Sequence, residues 1–160
     1  QMIHLRGMAF SPEHDFIHRK VAYNFRMTNL QAGIALAQLE KIHEILDKRK
    51  EVEKRYNEKL KDVLRIKLMP KRNVLWMYDV VVENKEELQR HLKDFGIETR
   101  QFFKPMSRQP MYYDANWKNL KAAYYGANGI YLPSYTDLTE EEQEEICNKI
   151  KNFYNKRSLF

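Results

Sequence analysis

Apolar residues fall at Leu30, Ile34, Leu39, Ile42, Ile45, Leu46, Val52, Tyr56, Leu60 and Val63, close to helical period, with no proline before Pro70. The pattern predicts one helix of roughly thirty residues, about 50 Å long. Thr28 and Gln31 mark its start with the spacing of a capping box, in which the hydroxyl accepts from the Gln31 N–H and the amide side chain reaches back. The first turns carry Ala32, Gly33, Ala35 and Ala37, small enough for another backbone to approach, whereas the second half alternates Lys, Glu and Arg. A buried beginning and a solvated end are therefore expected.

Past the connection at residues 69–73, residues 74–83 are rich in β-branched and aromatic side chains, with Trp76, Tyr78, Val80 and Val82 on one face of a strand. Asn84 and Glu87 then have capping-box spacing for a short helix with Leu88, His91, Leu92 and Phe95 inward, and Gly96 ends it. Residues 97–103 read as a second strand. Residues 114–126 read as a helix stopping at Gly126, and residues 129–133 as a strand that Pro133 confines to an edge or a terminus. Thr139 and Glu142 open the last helix, acidic in its first turn, which packs Ile146, Ile150, Phe153 and Tyr154 on the sheet. The sum is an α/β (α+β) sandwich, a long helix followed by a small, mixed or antiparallel sheet of about three strands covered by helices. Upstream, residues 5–10 read as a segment leaving a strand or helix, and Ser11-Pro12 as a turn, so the native polypeptide is expected to begin before Gln1.

Composition narrows the class. The 160 residues, 43% hydrophobic and 31% charged, suit one globular domain, and no apolar run approaches the eighteen or so residues of a membrane span. Gln1 to Arg6 lack the apolar core of a signal peptide, which makes a cytoplasmic location the default. The net charge of +6 would suit nucleic acid, but the cations between residues 48 and 72 alternate with Glu51, Glu53, Glu58 and Asp62, as on a solvated helix face. No nucleic-acid partner is expected; a small anion or nucleotide diphosphate suits such a surface equally well. The single Cys147 has no internal disulfide partner and reads as a core residue.

Motif chemistry is sparse. The chain has no Gly-rich phosphate loop, no Cys or His pair at metal-ligand spacing and no Gly-x-Ser-x-Gly elbow, and of its five histidines only His14 and His18 share a short segment. No metal is expected. Asn24 and Arg26 lie just ahead of the long helix, where unpaired N–H groups and the dipole favour an anion. Either they form a phosphate site, or Asn24 orders a turn and Arg26 pairs with an acid of the same fold. The loop at 104–113, rich in cations and aromatics between Pro105 and Pro110, suits either a site or plain surface.

Leu5-Arg6-Gly7, Ser11-Pro12-Glu13, His18, the run Tyr23-Asn24-Phe25-Arg26-Met27-Thr28-Asn29-Leu30-Gln31-Ala32, and Ala37-Gln38-Leu39-Glu40 resemble the C-terminal portion of the DegT/DnrJ/StrS sugar-nucleotide aminotransferases. The likeness is greatest to the 4-keto-6-deoxysugar 4-aminotransferases, perosamine synthetases among them. Gly96-Ile97-Glu98-Thr99-Arg100, Phe102-Phe103, Pro105, Gln109-Pro110-Met111-Tyr112 and Leu132-Pro133-Ser134 are similar to the same family in the same order. Met8-Ala9 stands where many members have His-Gly or Gln-Gly, Ala22 where glycine is usual, and Ser107 where many have histidine.

The resemblance implies the small C-terminal domain of a fold-type I enzyme that uses pyridoxal 5′-phosphate to carry an amino group from glutamate to a nucleotide-linked 4-keto-6-deoxysugar. It further implies a homodimer. Residues 1–27 would close the large domain and form an active-site loop, 28–63 the long interdomain helix, and 64–160 the small domain. The family's cofactor-bearing lysine lies in a Ser-Phe-x-x-x-Lys context upstream of the matched region, and no such motif occurs in this chain. The chain is thus expected to be a C-terminal fragment holding no catalytic residue, inactive alone and not binding the cofactor by itself. By position Asn24 corresponds to the asparagine that reaches the neighbouring subunit's cofactor phosphate, and Arg26 orders that loop or adds charge. His18, Tyr23, Arg100, Phe103 and Lys104 are the implied substrate-binding residues, Arg100 being best suited to a carboxylate or diphosphate. The alternative is a non-catalytic sugar-nucleotide-binding or assembly module of the same fold.

Overall fold

The computed structural model describes residues 2–9, 18, 20–70, 73–113 and 120–157. The Ser11-Pro12 turn, His14 and the first part of the helix expected from residue 114 lie outside them. Residues 1–42 and 43–160 form two compact units.

In the first unit, α1 (Met2–Arg6) leads into a tight turn where Met8 and Ala9 hold φ of 64° and 50°. That left-handed backbone is the conformation glycine adopts most readily. The returning chain pairs with it through Met8 N–H to Tyr23 O (3.2 Å), Tyr23 N–H to Leu5 O (3.2 Å) and Phe25 N–H to Arg6 O (3.0 Å). Helix α2 (Asn29–Glu40) then starts on a closed capping box. Gln31 N–H donates to Thr28 Oγ1 at 3.2 Å and Thr28 N–H to Gln31 Oε1 at 2.9 Å.

The single thirty-residue helix is not found. Lys41 interrupts it, its N–H shared between the carbonyls of Gln38 and Leu39, and α3 (Ile42–Leu60) follows. The expected order of burial is also reversed. No residue of α2 is buried, whereas Val52, Tyr56 and Leu60 of α3 are core residues. Small residues in α2 permit a close approach, but nothing among the described residues makes one.

In the second unit four antiparallel strands, β1 (Ile66–Leu68), β2 (Tyr78–Val82), β3 (Arg100–Gln101) and β4 (Gly129–Leu132), stand in the order β1-β2-β4-β3. The sheet has one strand more than expected, because β1 occupies residues 66–68, which the pattern leaves unassigned between the helix ending near Val63 and the connection at 69–73. Tyr78, Val80 and Val82 face a core shared with α3, α4 (Lys85–Asp94) and α6 (Glu140–Arg157), where Leu88, Leu92, Ile146, Ile150 and Tyr154 are buried. All of β2 is buried, since α5 (Leu120–Asn128) packs on the sheet as well. Trp76, expected in the strand at 74–83, lies outside β2 and is exposed, and the second strand keeps only Arg100 and Gln101 of the seven residues assigned to it. Pro133 follows the end of β4, an inner strand, so it marks a terminus and not an edge.

Local signals held unevenly. Thr139 caps α6 as expected, with Glu142 N–H to Thr139 Oγ1 at 3.2 Å and Thr139 N–H to Glu142 Oε2 at 3.0 Å. Asn84 does not make the expected box. It sits at φ 54° with no side-chain cap bond, and its carbonyl accepts from Glu87 and Leu88. Gly96 ends α4 at φ +75° as read, whereas Gly126 lies inside α5, which runs on to Asn128.

Candidate functional site

Two sets of residues carry the chemistry, one in each unit. In the first unit the turn ahead of α2 holds His18, Tyr23, Asn24 and Arg26. An antiparallel bridge pairs Asn24 with Gly7, and Asn24 Oδ1 accepts weakly from Arg26 N–H at 3.4 Å, which leaves the Nδ2 donors of the amide for another group. The Arg26 guanidinium lies against Gly7, so close that a Cβ there would meet Nη2 at 2.4 Å. A side chain at position 7 would displace the end of that guanidinium. Tyr23 stacks on Phe25 with centroids 5.3 Å apart, and both rings are exposed. His18 donates from Nδ1 to the Met8 carbonyl at 2.7 Å, and with Lys20, Val21 and Ala22 it lines a shallow depression. Amide, guanidinium and capped helix start thus stand on one exposed turn, a donor set for an anion.

In the second unit Arg100 begins β3, paired in register with Tyr131, and Phe103 and Lys104 follow on an exposed loop. Two short 3-10 turns, Met106–Arg108 and Pro110–Tyr112, continue it. Two glycines fix this loop. Phe102 lies over Gly129 and stacks on Tyr131 at 4.7 Å, and Pro105 lies over Gly126, where a Cβ would meet its Cδ at 2.9 Å. Beside the loop a groove of about 750 Å³ is lined by Arg49, Trp76, Arg100, Tyr131 and the first turns of α6. Sequence reasoning missed Arg49, Trp76 and the two glycines. In the sequence Trp76 falls on one face of a strand, and neither glycine has the positive φ that would mark a turn.

Arg100, Phe103 and Lys104 therefore share one loop region, and His18, Tyr23, Asn24 and Arg26 share another. Buried ionisable groups belong to the core instead. Loss of water pushes the Cys147 thiol up to about 11 and raises the Tyr56 and Tyr78 phenols far above their ordinary range. Tyr56 donates to Pro133 O at 2.8 Å and Tyr78 to Asn57 Oδ1 at 2.8 Å, so both are satisfied structural hydroxyls. Cys147 is a protonated core thiol, as its sequence context indicated. Among the described residues no group of three or more His, Cys, Asp or Glu could hold a metal, and no helix is long and apolar enough to cross a membrane.

The fold recurs in known proteins. Residues 1–151 match the model of the DegT/DnrJ/EryC1/StrS aminotransferase family, and the chain belongs to that family. Among its relatives, the GDP-perosamine synthase of Escherichia coli O157:H7 is 33% identical over 158 residues, covering 96% of this chain and 43% of that protein. The GDP-perosamine synthase of Vibrio cholerae is 34% identical over 149 residues, covering 86% of the chain and 40% of the relative. In fold, the aminotransferase TlmJ from Streptoalloteichus hindustanus superposes with a TM-score of 0.83 at 18% identity, over 97% of this chain and 44% of that one. The chain thus spans about two fifths of the length of these relatives, and it corresponds to their C-terminal part.

Proposed function

We propose that this chain is the C-terminal part of a pyridoxal 5′-phosphate-dependent aminotransferase that moves an amino group from glutamate to a nucleotide-linked 4-keto-6-deoxysugar, working as a homodimer. The observation that carries the proposal is the exposed turn at residues 23–28, where the free amide hydrogens of Asn24 and the guanidinium of Arg26 precede the capped start of α2. A phosphate monoester needs N–H donors and positive charge together, and this donor set fits that end of the cofactor. The rest of the cofactor finds no match here, since the sequence lacks the family's lysine motif.

When bound, the cofactor supplies the electron sink for amino transfer. This chain's own part is binding. Asn24 donates to a phosphate oxygen in the neighbouring subunit, and Arg26, folded over Gly7, holds the turn and adds charge. Arg100 takes the carboxylate of the amino donor or the diphosphate of the sugar nucleotide, with His18, Tyr23, Phe103 and Lys104 bordering the substrate. Residues 1–27 close the large domain, the helical stretch 28–63 links it to the small domain, and 64–160 form the latter.

The test is Asn24→Ala in the complete gene product. A hydrogen bond to a charged group is worth about 1.5–3 kcal/mol, so cofactor affinity should fall roughly ten- to a hundredfold while the melting temperature of the cofactor-free protein stays unchanged. Unchanged cofactor affinity overturns the role given to Asn24. Failure of the wild type to transfer an amino group to any nucleotide-linked 4-keto-6-deoxysugar overturns the activity.

A further inference from the structure

Asn128 and Gly129 form the one Asn-Gly pair of the chain. Asparagine is thermolabile because the next backbone nitrogen can attack its side chain, and glycine, with no Cβ and a permissive backbone, hinders that attack least. The pair sits at a junction. Asn128 is the last residue of α5, and Gly129 is the first of β4, in register with Val81 of β2. The Asn128 side chain turns back along its own helix, Nδ2 donating to the Tyr124 carbonyl at 3.0 Å, and the Gly129 carbonyl accepts from Phe102 N–H at 3.2 Å. The carboxamide is thus held by α5 and the backbone of Gly129 by the sheet, so the attack needs local opening of both.

The same pair lies between two packed contacts. Phe102 rests over Gly129, where a Cβ would meet its ring at 2.3 Å, and Pro105 rests over Gly126, where a Cβ would meet Cδ at 2.9 Å and the Phe103 carbonyl at 3.3 Å. Gly126 and Gly129 therefore fix the two ends of residues 102–105. An isoaspartyl link at position 128 runs the backbone through Cβ and inserts one methylene between the two glycines, about 1.5 Å of extra chain. Carbon contacts lose much of their attraction over a gap of about 1 Å, so a shift of that size cannot keep both glycines seated.

We propose that Asn128 is a site of spontaneous deamidation that the fold holds shut, and that its conversion to isoaspartate unseats residues 102–105. The Gly129 nitrogen attacks Asn128 Cγ, the Cγ–Nδ2 bond breaks, and the proton from the glycine amide leaves with Nδ2 as ammonia. Water then opens the resulting succinimide. Opening at Cγ gives aspartate on the original backbone, and opening at the main-chain carbonyl gives isoaspartate. The net change is amide plus water to carboxylate plus ammonium, with nothing oxidised or reduced.

The 160-residue chain carrying W117F, in which Trp76 is the one tryptophan left, is aged at mildly alkaline pH both folded and in urea, and position 128 is followed by peptide mapping and mass spectrometry. Conversion is expected in urea and at least about tenfold more slowly in the folded chain. Returned to native buffer, the isoaspartyl product should melt roughly 4 °C or more below N128D, which carries the new charge on an unaltered backbone. Its Trp76 emission should also differ from that of N128D, because Trp76 stacks on Phe103 at 6.1 Å. N128Q aged in parallel accounts for the other asparagines, and failure of the aged chain to refold where aged N128Q refolds equally supports the unseating. Equal conversion in the folded and unfolded chains overturns the protection, and no conversion at position 128 in urea overturns the site. An isoaspartyl product that melts and emits like N128D overturns the unseating. The Asn24 experiment reads cofactor affinity, so either proposal can fail while the other stands.

Discussion

Gly129 opens β4, and a Cβ built on it would lie 2.3 Å from Cγ and Cδ2 of Phe102 and 2.6 Å from Cδ1. Non-bonded carbons rest at about 3.5–4.0 Å, so Gly129→Ala must displace the ring by more than ~1 Å. The ring has little room to retreat. Its far side stacks on Tyr131 at 4.7 Å, and its own N–H is tied to the Gly129 carbonyl at 3.2 Å. Overpacking of this kind costs about 1–3 kcal/mol, or roughly 4–12 °C of melting temperature for a unit of this size. Thermal melts followed by circular dichroism measure it, with Gly33→Ala as the contrast. Nothing lies within 4 Å of a Cβ at Gly33, in the middle of α2, so alanine there gains helix propensity of up to about 1 kcal/mol. Because the penalty is assigned to one ring, it should largely vanish in a Phe102→Ala background. Equal melting of Gly129→Ala and wild type would refute the argument, and so would an undiminished penalty once the ring is gone.

Two further outcomes follow from backbone conformation and burial. Asn84 holds φ of 54° without a side-chain cap bond, so Asn84→Ser, a good cap but a poor left-handed residue, should lose about 1 kcal/mol by urea unfolding while Asn84→Gly does not; equal stability of all three would restore the capping explanation. The Cys147 thiol is raised by burial from 9.0 to about 11 in the folded chain, which means that its contribution is full below about pH 9 and is lost as pH rises toward 11. Wild type should therefore lose about 1 kcal/mol more than Cys147→Ala between about pH 9 and pH 10, beneath the range where Tyr56 and Tyr78, shifted the same way, add their own loss; parallel stability curves would contradict the burial.

What could be read in the sequence was whatever one turn of chain decides. The Thr28 and Thr139 boxes and the Gly96 stop depend on residues three or four apart, and each is present in the structure. Asn84 has the same spacing to Glu87 as Thr28 to Gln31, yet it takes the left-handed backbone that asparagine tolerates and threonine does not, so identical spacing yields different caps. Strand β1 escaped notice because its three residues pair at a distance, Lys67 with Val81 and Leu68 with Val80, and three residues carry no periodicity. Gly126 has the place of a helix stop in the sequence, but its use is lateral, as a seat for Pro105. A glycine chosen for φ and one chosen for space look the same in a sequence.

The same limit explains the reversal along the long helical stretch. Periodicity assigns a face, and it assigned one correctly to Val52, Tyr56 and Leu60, whose partners lie in the same unit. Leu30 and Ile34 of α2 obey the same period and remain 83% and 69% exposed, because burial is a property of two surfaces and the pattern describes only one. The candidate site follows this logic. Asn24 and Arg26 were legible because their chemistry is local to a turn and a helix start. Trp76 was not, because its surroundings draw on Arg49, some 27 residues earlier, and on Phe103, as many later, and only the folded chain brings a guanidinium to its carbonyl and a second ring against its own.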